Sequence, residues 1–344
     1  MGAPDASDSR LSVLTRWVFD DLGFAGCRIE PASSDASFRR YFRVTRGTDT
    51  YIVMDAPPDK ENLRPFIEVA QMLLCMGVNA PVLLARNVDQ GLLLLSDLGS
   101  RPYLDELAGG RNVDALYADA LNTLLKMQTA GGAAARELPT YGRSLLLGEM
   151  ELMPQWFLGR HLGMSIGAAE RGMLDQLFEF LVQEALSQPT VFVHRDYHSR
   201  NLLLTADNNP GVLDFQDAVT GPVTYDLVSL LKDCYIAWPP PRARAWALQH
   251  REGLLGAGLA AGEDEAQFIR WFDLLGLQRH IKVLGIFSRL YHRDGKSQYL
   301  NDLPRVLHYT RAAAGAYAQT ARFADFIASR IEPEFQRAQG GAVA

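Results

Sequence analysis

The chain has 344 residues, with 34 Lys and Arg against 40 Asp and Glu and a formal net charge of −6. That length exceeds what one simple core serves and suits two lobes. An acidic balance, with neither a basic excess nor a basic stripe over much of the surface, speaks against a nucleic-acid-binding protein. Cys27, Cys75 and Cys234 lack paired spacing, so neither a disulfide framework nor a cysteine zinc site is expected. Their mostly apolar neighbours predict buried free thiols in a reducing compartment. No run approaches the roughly 18 apolar residues of a membrane span. The N-terminus, MGAPDASDSR, is polar and lacks a signal-peptide core, so a cytoplasmic protein is expected.

In chain order, Leu11 to Leu22 reads as an amphipathic helix. Strand character follows in 27–33, 38–45 and 50–55, separated by the polar loop Ser33-Ser34-Asp35-Ala36-Ser37 and the turn signal Arg46-Gly47-Thr48-Asp49. After Pro57-Pro58 a helix is expected over 59–76, ending at Gly77, then strands over 82–86 and 91–96. Beyond Leu98-Gly99 helical periodicity dominates, apart from a β-rich island over 190–215. There Val191-Phe192-Val193 leads into a polar loop followed by short strands at 202–205 and 211–213. The expected class is α+β, with a small β-rich N-lobe over 1–98 and a larger, mostly helical C-lobe over 99–344.

The polar loop reads His194-Arg195-Asp196-Tyr197-His198-Ser199-Arg200-Asn201, and Asp214-Phe215 stands thirteen residues after Asn201. This fits H-R-D-x-x-x-x-N followed by an aspartate in the D-F-G position. Phosphoryl transfer needs little covalent help from a protein. It needs an aligned acceptor hydroxyl and charge neutralisation on the phosphates. Asp196 is the expected catalytic base. Asn201 offers an amide oxygen and Asp214 a carboxylate to Mg²⁺, both hard donors. His194 reads as scaffold rather than as a metal ligand.

These residues resemble the aminoglycoside phosphotransferase and choline kinase superfamily, relatives of the protein kinases, over nearly the whole chain. The segments SSDASFRRYFRV, YIVMDAPP, GLLLLSDLG, VHRDYHSRNLLL and VLDFQDAVTGPVTYDLVSLLKDCYIAWP narrow the resemblance to the N-acetylmuramate/N-acetylglucosamine anomeric kinases of bacterial cell-wall recycling. The resemblance implies a bilobal protein-kinase-like fold. It also implies ATP-dependent phosphorylation of the C1 hydroxyl of an amino sugar in peptidoglycan recycling, with Mg²⁺. Asp196 matches the family base, and Asn201 and Asp214 its magnesium ligands. Ser33, Ser34, Asp35, Ala36, Ser37 and Phe38 match the loop that covers the phosphates. Ser96, Asp97 and Leu98 match the hinge that holds adenine, and Ile52 joins the expected ATP-binding set. Asp226 matches an acid that buttresses the catalytic loop. A small-molecule sugar is the expected partner of a monomer, with no nucleic acid and no membrane.

The chain departs from the superfamily pattern twice. The phosphate loop lacks glycine, and Met54 stands where the third strand should carry a phosphate-binding lysine. Arg39, Tyr41 and Arg43 share one face of the second strand. Arg39 or Arg43 could replace the missing cation, or both could be solvated edges. For the acceptor, Arg279, Lys282, Arg289 and Arg293 fall within roughly 80° of arc on one helix over 274–293. That stripe suits an anionic sugar if it faces the cleft, and is a solvated face otherwise. Glu149, Trp156, His198 and Asp217 complete the candidate sugar contacts. Two alternatives remain: a kinase for another small alcohol or an aminoglycoside, and a nucleotide-binding pseudokinase or regulatory module.

Overall fold

The computed structural model describes residues 9–34, 38–110, 112–132 and 134–340, which form two compact units. One unit runs to Pro102 and also takes in Leu202–Asp217. The other comprises Tyr103–Asn201 and the chain from Ala218.

The first unit opens with α1 (Ser9–Arg16), which continues into a π-type turn over Trp17–Asp21. Then come β1 (Arg28–Ser34), β2 (Arg40–Arg46), β3 (Asp49–Asp55), α2 (Leu63–Cys75), β4 (Leu83–Asn87) and β5 (Leu92–Ser96). The sheet order is β1-β2-β3-β5-β4, and every neighbouring pair is antiparallel. Strand alternation sorts its faces. Phe42, Val44, Val53, Leu92 and Leu94 pack with Leu14, Trp17 and Val18 into one core. Met54 lies opposite Tyr41 and Leu93 on the other face, where Arg43, Ile52 and Leu95 are also in register.

Three local details follow from side-chain chemistry. The helix expected from residue 59 begins at Leu63, because the Asn62 side chain accepts from the Arg64 N–H at 3.0 Å and caps it. Asp55, fully buried, accepts from Nε of Arg10 and of Arg40, each at 3.0 Å, which ties α1 to the sheet. Gly91 has φ +72°, and a Cβ there would stand 2.0 Å from the Ala56 carbonyl oxygen, so only glycine fits. The cysteines correct an expectation: Cys234 is buried, but Cys27 is half-buried and Cys75 exposed. Cys75 lies one turn from Gln71, whose Nε2 donates to Sγ at 3.5 Å on the exposed side of α2.

The second unit begins with α3 (Tyr103–Ala108), α4 (Val113–Ala130), α5 (Arg143–Met150) and α6 (Ala168–Leu186). β6 (Thr190–Val193) follows. The chain then visits the first unit through β7 (Leu202–Leu203) and β8 (Gly211–Val212), which pair with each other. It resumes with β9 (Val219–Pro222), antiparallel to β6, then α7 (Tyr225–Leu231), α8 (Pro240–Gly256), α9 (Glu265–Asp294) and further helices to residue 340. The thirty-residue α9 is longer than the expected span over 274–293. Asp264 caps its start by accepting from the Gln267 N–H at 2.8 Å, and Gly295 ends it at φ +68°. Gly285 lets α9 approach the backbone just after α5; a Cβ there would lie 2.3 Å from the Leu152 carbonyl carbon. Among the described residues, no helix is long and apolar enough to cross a membrane.

Candidate active site

In the second unit, β6 delivers the chain into His194-Arg195-Asp196. The backbone turns through Arg195 at φ +78°, a left-handed conformation that an arginine adopts only under constraint. Both peptide groups around it are held. Asp226, at the start of α7, accepts from the N–H of His194 (2.7 Å) and of Arg195 (3.0 Å). Arg279 of α9 donates to the Arg195 carbonyl at 2.9 Å. Burial pushes the Asp226 carboxyl up to about 7, against the two N–H groups that favour its charged form. Further along the loop, Asp233 accepts from the Ser199 N–H (3.1 Å), the Ser199 hydroxyl and the Tyr235 N–H (2.9 Å). Asn201 donates through Nδ2 to the Asp196 carbonyl at 3.0 Å, which closes the loop on itself.

Cations surround the Asp196 carboxylate. An Arg279 guanidinium nitrogen lies 3.6 Å from its Oδ1. Burial opposes its ionisation, but the permanent cations, chiefly Arg279 and Lys282 and then Arg195, outweigh burial and hold the carboxyl well below the usual carboxylate range. Beside it, Glu149 is nearly fully buried and accepts from Arg195 at 2.6 Å, from Lys282 Nζ at 2.9 Å and from the Tyr141 hydroxyl. Burial disfavours the Glu149 anion, and Lys282 and Arg195 more than offset it, so this carboxyl also sits low. Lys282 and Arg279 both donate to the Tyr225 hydroxyl, at 3.1 and 3.3 Å.

These groups open into a cavity of 720 Å³. Its walls include Asp196, Glu149, Arg195, Lys282, Ile286 and Arg289, with Thr140, Ser144, Gly148 and Leu152 among the rest. Lys282, Ile286 and Arg289 are spaced i, i+4 and i+7, one face of α9. The basic stripe therefore divides. Arg279 and Lys282 are buried beside the 194–201 loop, and Arg289 lines the cavity. Arg293 is exposed and pairs with Asp294 at 2.7 Å. Trp156, half-buried in a π-helical segment over Met153–His161, is not among the lining residues. His198 stands edge-on to Tyr235 with centroids 5.3 Å apart, and burial lowers its pKa, which favours neutral imidazole.

In the first unit, Asp214 follows β8 at φ +61°. Its Oδ1 accepts from Gln216 Nε2 at 2.9 Å and lies 3.7 Å from the nearly buried Arg39 guanidinium. Arg43 is committed elsewhere: it forks onto Asp97 at 2.6 and 3.0 Å and donates to the Gly99 carbonyl at 3.0 Å. That pairing fixes the segment after β5. Asp97 also accepts from the Gly99 N–H, and Ser96 exchanges hydrogen bonds with the Val82 backbone. Leu98 packs against Gly211, and Asp217 is exposed. Met54 is wholly buried, so this strand position supplies core rather than charge. Ser33 and Ser34 close β1 against Tyr41 and Arg40, and Phe38 is exposed with its N–H on Glu61. Asp35, Ala36 and Ser37 lie outside the described residues.

Asn201, in the second unit, and Asp214, in the first, each offer an oxygen of the hard kind that magnesium takes. Among the described residues, no group of three or more His, Cys, Asp or Glu is placed to hold a metal. Mg²⁺ does not require one, since it takes one or two protein oxygens and completes its shell with water and phosphate. Asn201 has its amide fixed through nitrogen, and Asp214 presents a half-exposed carboxylate.

Several contributors carried no distinct sequence signal. Tyr141, Tyr225 and Gln278 form the buried polar surround of Glu149, yet each reads as ordinary core or helix. Arg195 and Asp233 lie within the sequence motifs, but only the fold reveals which partners they hold.

Residues 28–269 match the model of the APH phosphotransferase enzyme family. The chain is 46% identical over 299 residues to an N-acetylmuramate/N-acetylglucosamine kinase of Pseudomonas aeruginosa, covering 87% of each chain. It is 42% identical over 331 residues to one of Pseudomonas putida, covering 93% of this chain and 96% of the relative. Among solved structures, a Plasmodium vivax ethanolamine kinase superposes with a TM-score of 0.64 at 11% identity, over 90% of this chain and 91% of the other. The fold is thus the protein-kinase-like fold of this superfamily, as the sequence motifs predict.

Proposed function

The chain belongs to the APH phosphotransferase enzyme family, and from that premise we propose that it transfers the γ-phosphoryl group of ATP to the anomeric C1 hydroxyl of N-acetylmuramate and N-acetylglucosamine, a step of peptidoglycan recycling. The observation that carries this reading is the 720 Å³ cavity in which Asp196 shares walls with Glu149, Lys282, Arg289 and two small hydroxyl side chains. Its size and density of hydrogen-bonding groups suit a substituted hexose. The cations in its walls disfavour a polycationic aminoglycoside.

Asp196 is ionised at neutral pH and accepts the hydrogen bond of the acceptor hydroxyl, aiming its lone pair. A carboxylate held this low is a weak base, so it takes the proton late, once bonding to phosphorus has made the hydroxyl acidic. That timing suits a loose phosphoryl-transfer transition state, where positioning and electrostatics supply most of the catalysis. Arg279, Asp226 and Asp233 are positioning residues that hold the loop. Mg²⁺, when bound, neutralises charge on the phosphate oxygens, and Asn201 and Asp214 are the residues that would hold it. Arg39 supplies the phosphate-binding cation that Met54 cannot, a role supported by its burial beside Asp214 and by Arg43's commitment to Asp97. Thermodynamically, such an inward guanidinium strengthens nucleotide binding as a charge-assisted donor.

ATP turnover with N-acetylmuramate, N-acetylglucosamine and kanamycin, run in parallel, tests the reading. Phosphate on C1 of the two amino sugars, lost in Asp196→Asn with nucleotide binding retained, is expected. Turnover of kanamycin alone, or of no acceptor, refutes it.

A further inference from the structure

Charge in the acceptor cavity is not balanced. Arg195, Arg279 and Lys282 meet Glu149 and Asp196. Asp226, where ionised, offsets the remaining cation among those three. Arg289 is outside this network. Among the described residues it has no ion-pair partner, and its Nε is shielded from solvent without a hydrogen bond. Its nearest charged neighbours along α9 do not satisfy it: Arg293 is a like charge, and Asp294 forks onto Arg293 at 2.7 and 2.9 Å. Burial first, and Arg293 second, lower the affinity of Arg289 for its proton, as expected of a guanidinium lacking a counter-ion. A buried donor left unpaired costs stability, so such a group in a cavity wall marks where a ligand supplies the missing partner. The required partner is an anion, and a planar guanidinium matches a carboxylate.

We infer that Arg289 is a carboxylate-binding subsite of the acceptor cavity, pairing with the lactyl carboxylate that N-acetylmuramate carries and N-acetylglucosamine lacks. Arg289 is then a specificity-determining residue: it strengthens binding of the acidic sugar more than that of the neutral one. Lys282 cannot do the same, because Glu149 and Tyr225 already occupy its ammonium group. Ile286, one turn away on the same face, provides an apolar wall between the two cations.

The inference rests on the amino-sugar reading above, and the test separates the two. For wild type, kcat/KM is measured with N-acetylmuramate, its methyl ester and N-acetylglucosamine at saturating ATP. Esterification should cost about 10- to 100-fold, the worth of a charge-assisted hydrogen bond, mainly in KM. Arg289→Gln should lose the same factor on the free acid and treat acid and ester alike, with a clearly smaller loss on N-acetylglucosamine; Arg289→Lys should recover part of the loss on the acid. The ester comparison uses unaltered protein, so it stands even if the variant folds poorly. Equal turnover of acid and ester by wild type overturns the inference while leaving the amino-sugar reading intact, as does an equal loss on both sugars in Arg289→Gln. Turnover of neither sugar by wild type overturns both.

Discussion

Glu149→Gln isolates the electrostatic design of the second unit, because it removes one charge and almost no volume. In the native protein the Glu149 carboxylate is 9% exposed and faces Arg195 at 2.6 Å and Lys282 at 2.9 Å. Taking away one partner of a buried ion pair leaves uncompensated charge and costs about 3–5 kcal/mol. Here two cations lose their counter-ion together. Arg195 cannot release its proton, but Lys282 can, and in the variant its folded-state pKa should fall below the unfolded value near 10. The folded variant then binds fewer protons than the unfolded chain over that window, so its stability rises with pH up to the unfolded pKa. Wild type behaves differently. The Glu149 carboxyl is depressed by folding, so its contribution is present above the unfolded value of about 4 and is lost as pH falls through the folded one. Urea unfolding of wild type and variant at about pH 7 and about pH 9 measures the Lys282 effect. The expected result is a loss of about 3–5 kcal/mol at the lower pH and a smaller loss at the higher. The double variant Glu149→Gln/Lys282→Met should regain part of it. A loss under about 1 kcal/mol, equal at both pH values, would show that the network is solvated and that the charge reasoning fails.

Two further variants probe the remaining parts. Arg39→Ala should raise KM for ATP about tenfold, one charge-assisted hydrogen bond, while leaving KM for the sugar unchanged; unchanged nucleotide KM refutes its role as the replacement cation. Gly285→Ala should destabilise by about 1–3 kcal/mol through overpacking, because its Cβ would collide with the Leu152 backbone at 2.3 Å. Since Leu152 lines the cavity, sugar KM should rise as well, and a neutral result in thermal unfolding would contradict the close approach of α9.

Much of the fold was legible because it is written in local chemistry. The sheet appears as strand-like stretches punctuated by Gly47 and the 87–90 turn, and the C-terminal two-thirds of α9 as a helical pattern over 274–293, whereas its true start at the Asp264 cap was not read from the sequence. The motif running from His194 to Asn201 was legible because its residues are close in sequence and of restricted type. The error over Cys27 and Cys75 has the opposite origin. Apolar neighbours along the chain do not determine whether a given helix face or strand end meets core or solvent.

The ambiguous residues differed in partners rather than in type. Arg39 and Arg43 are equivalent in the sequence, both on one face by a period of two, yet Asp97 claims one and Asp214 neighbours the other. Arg279, Lys282, Arg289 and Arg293 form one stripe by periodicity, and only packing gives three of them different surroundings and turns the fourth to solvent. The sequence by itself determined the element types, the phosphotransfer motif and the absence of a lysine at Met54. Tertiary structure alone decided which charges are paired, buried or left facing a cavity. Period and motif are set by neighbours along the chain, whereas charge compensation depends on atoms a few ångströms apart that can be a hundred or more residues distant in sequence, as Glu149 and Lys282 are.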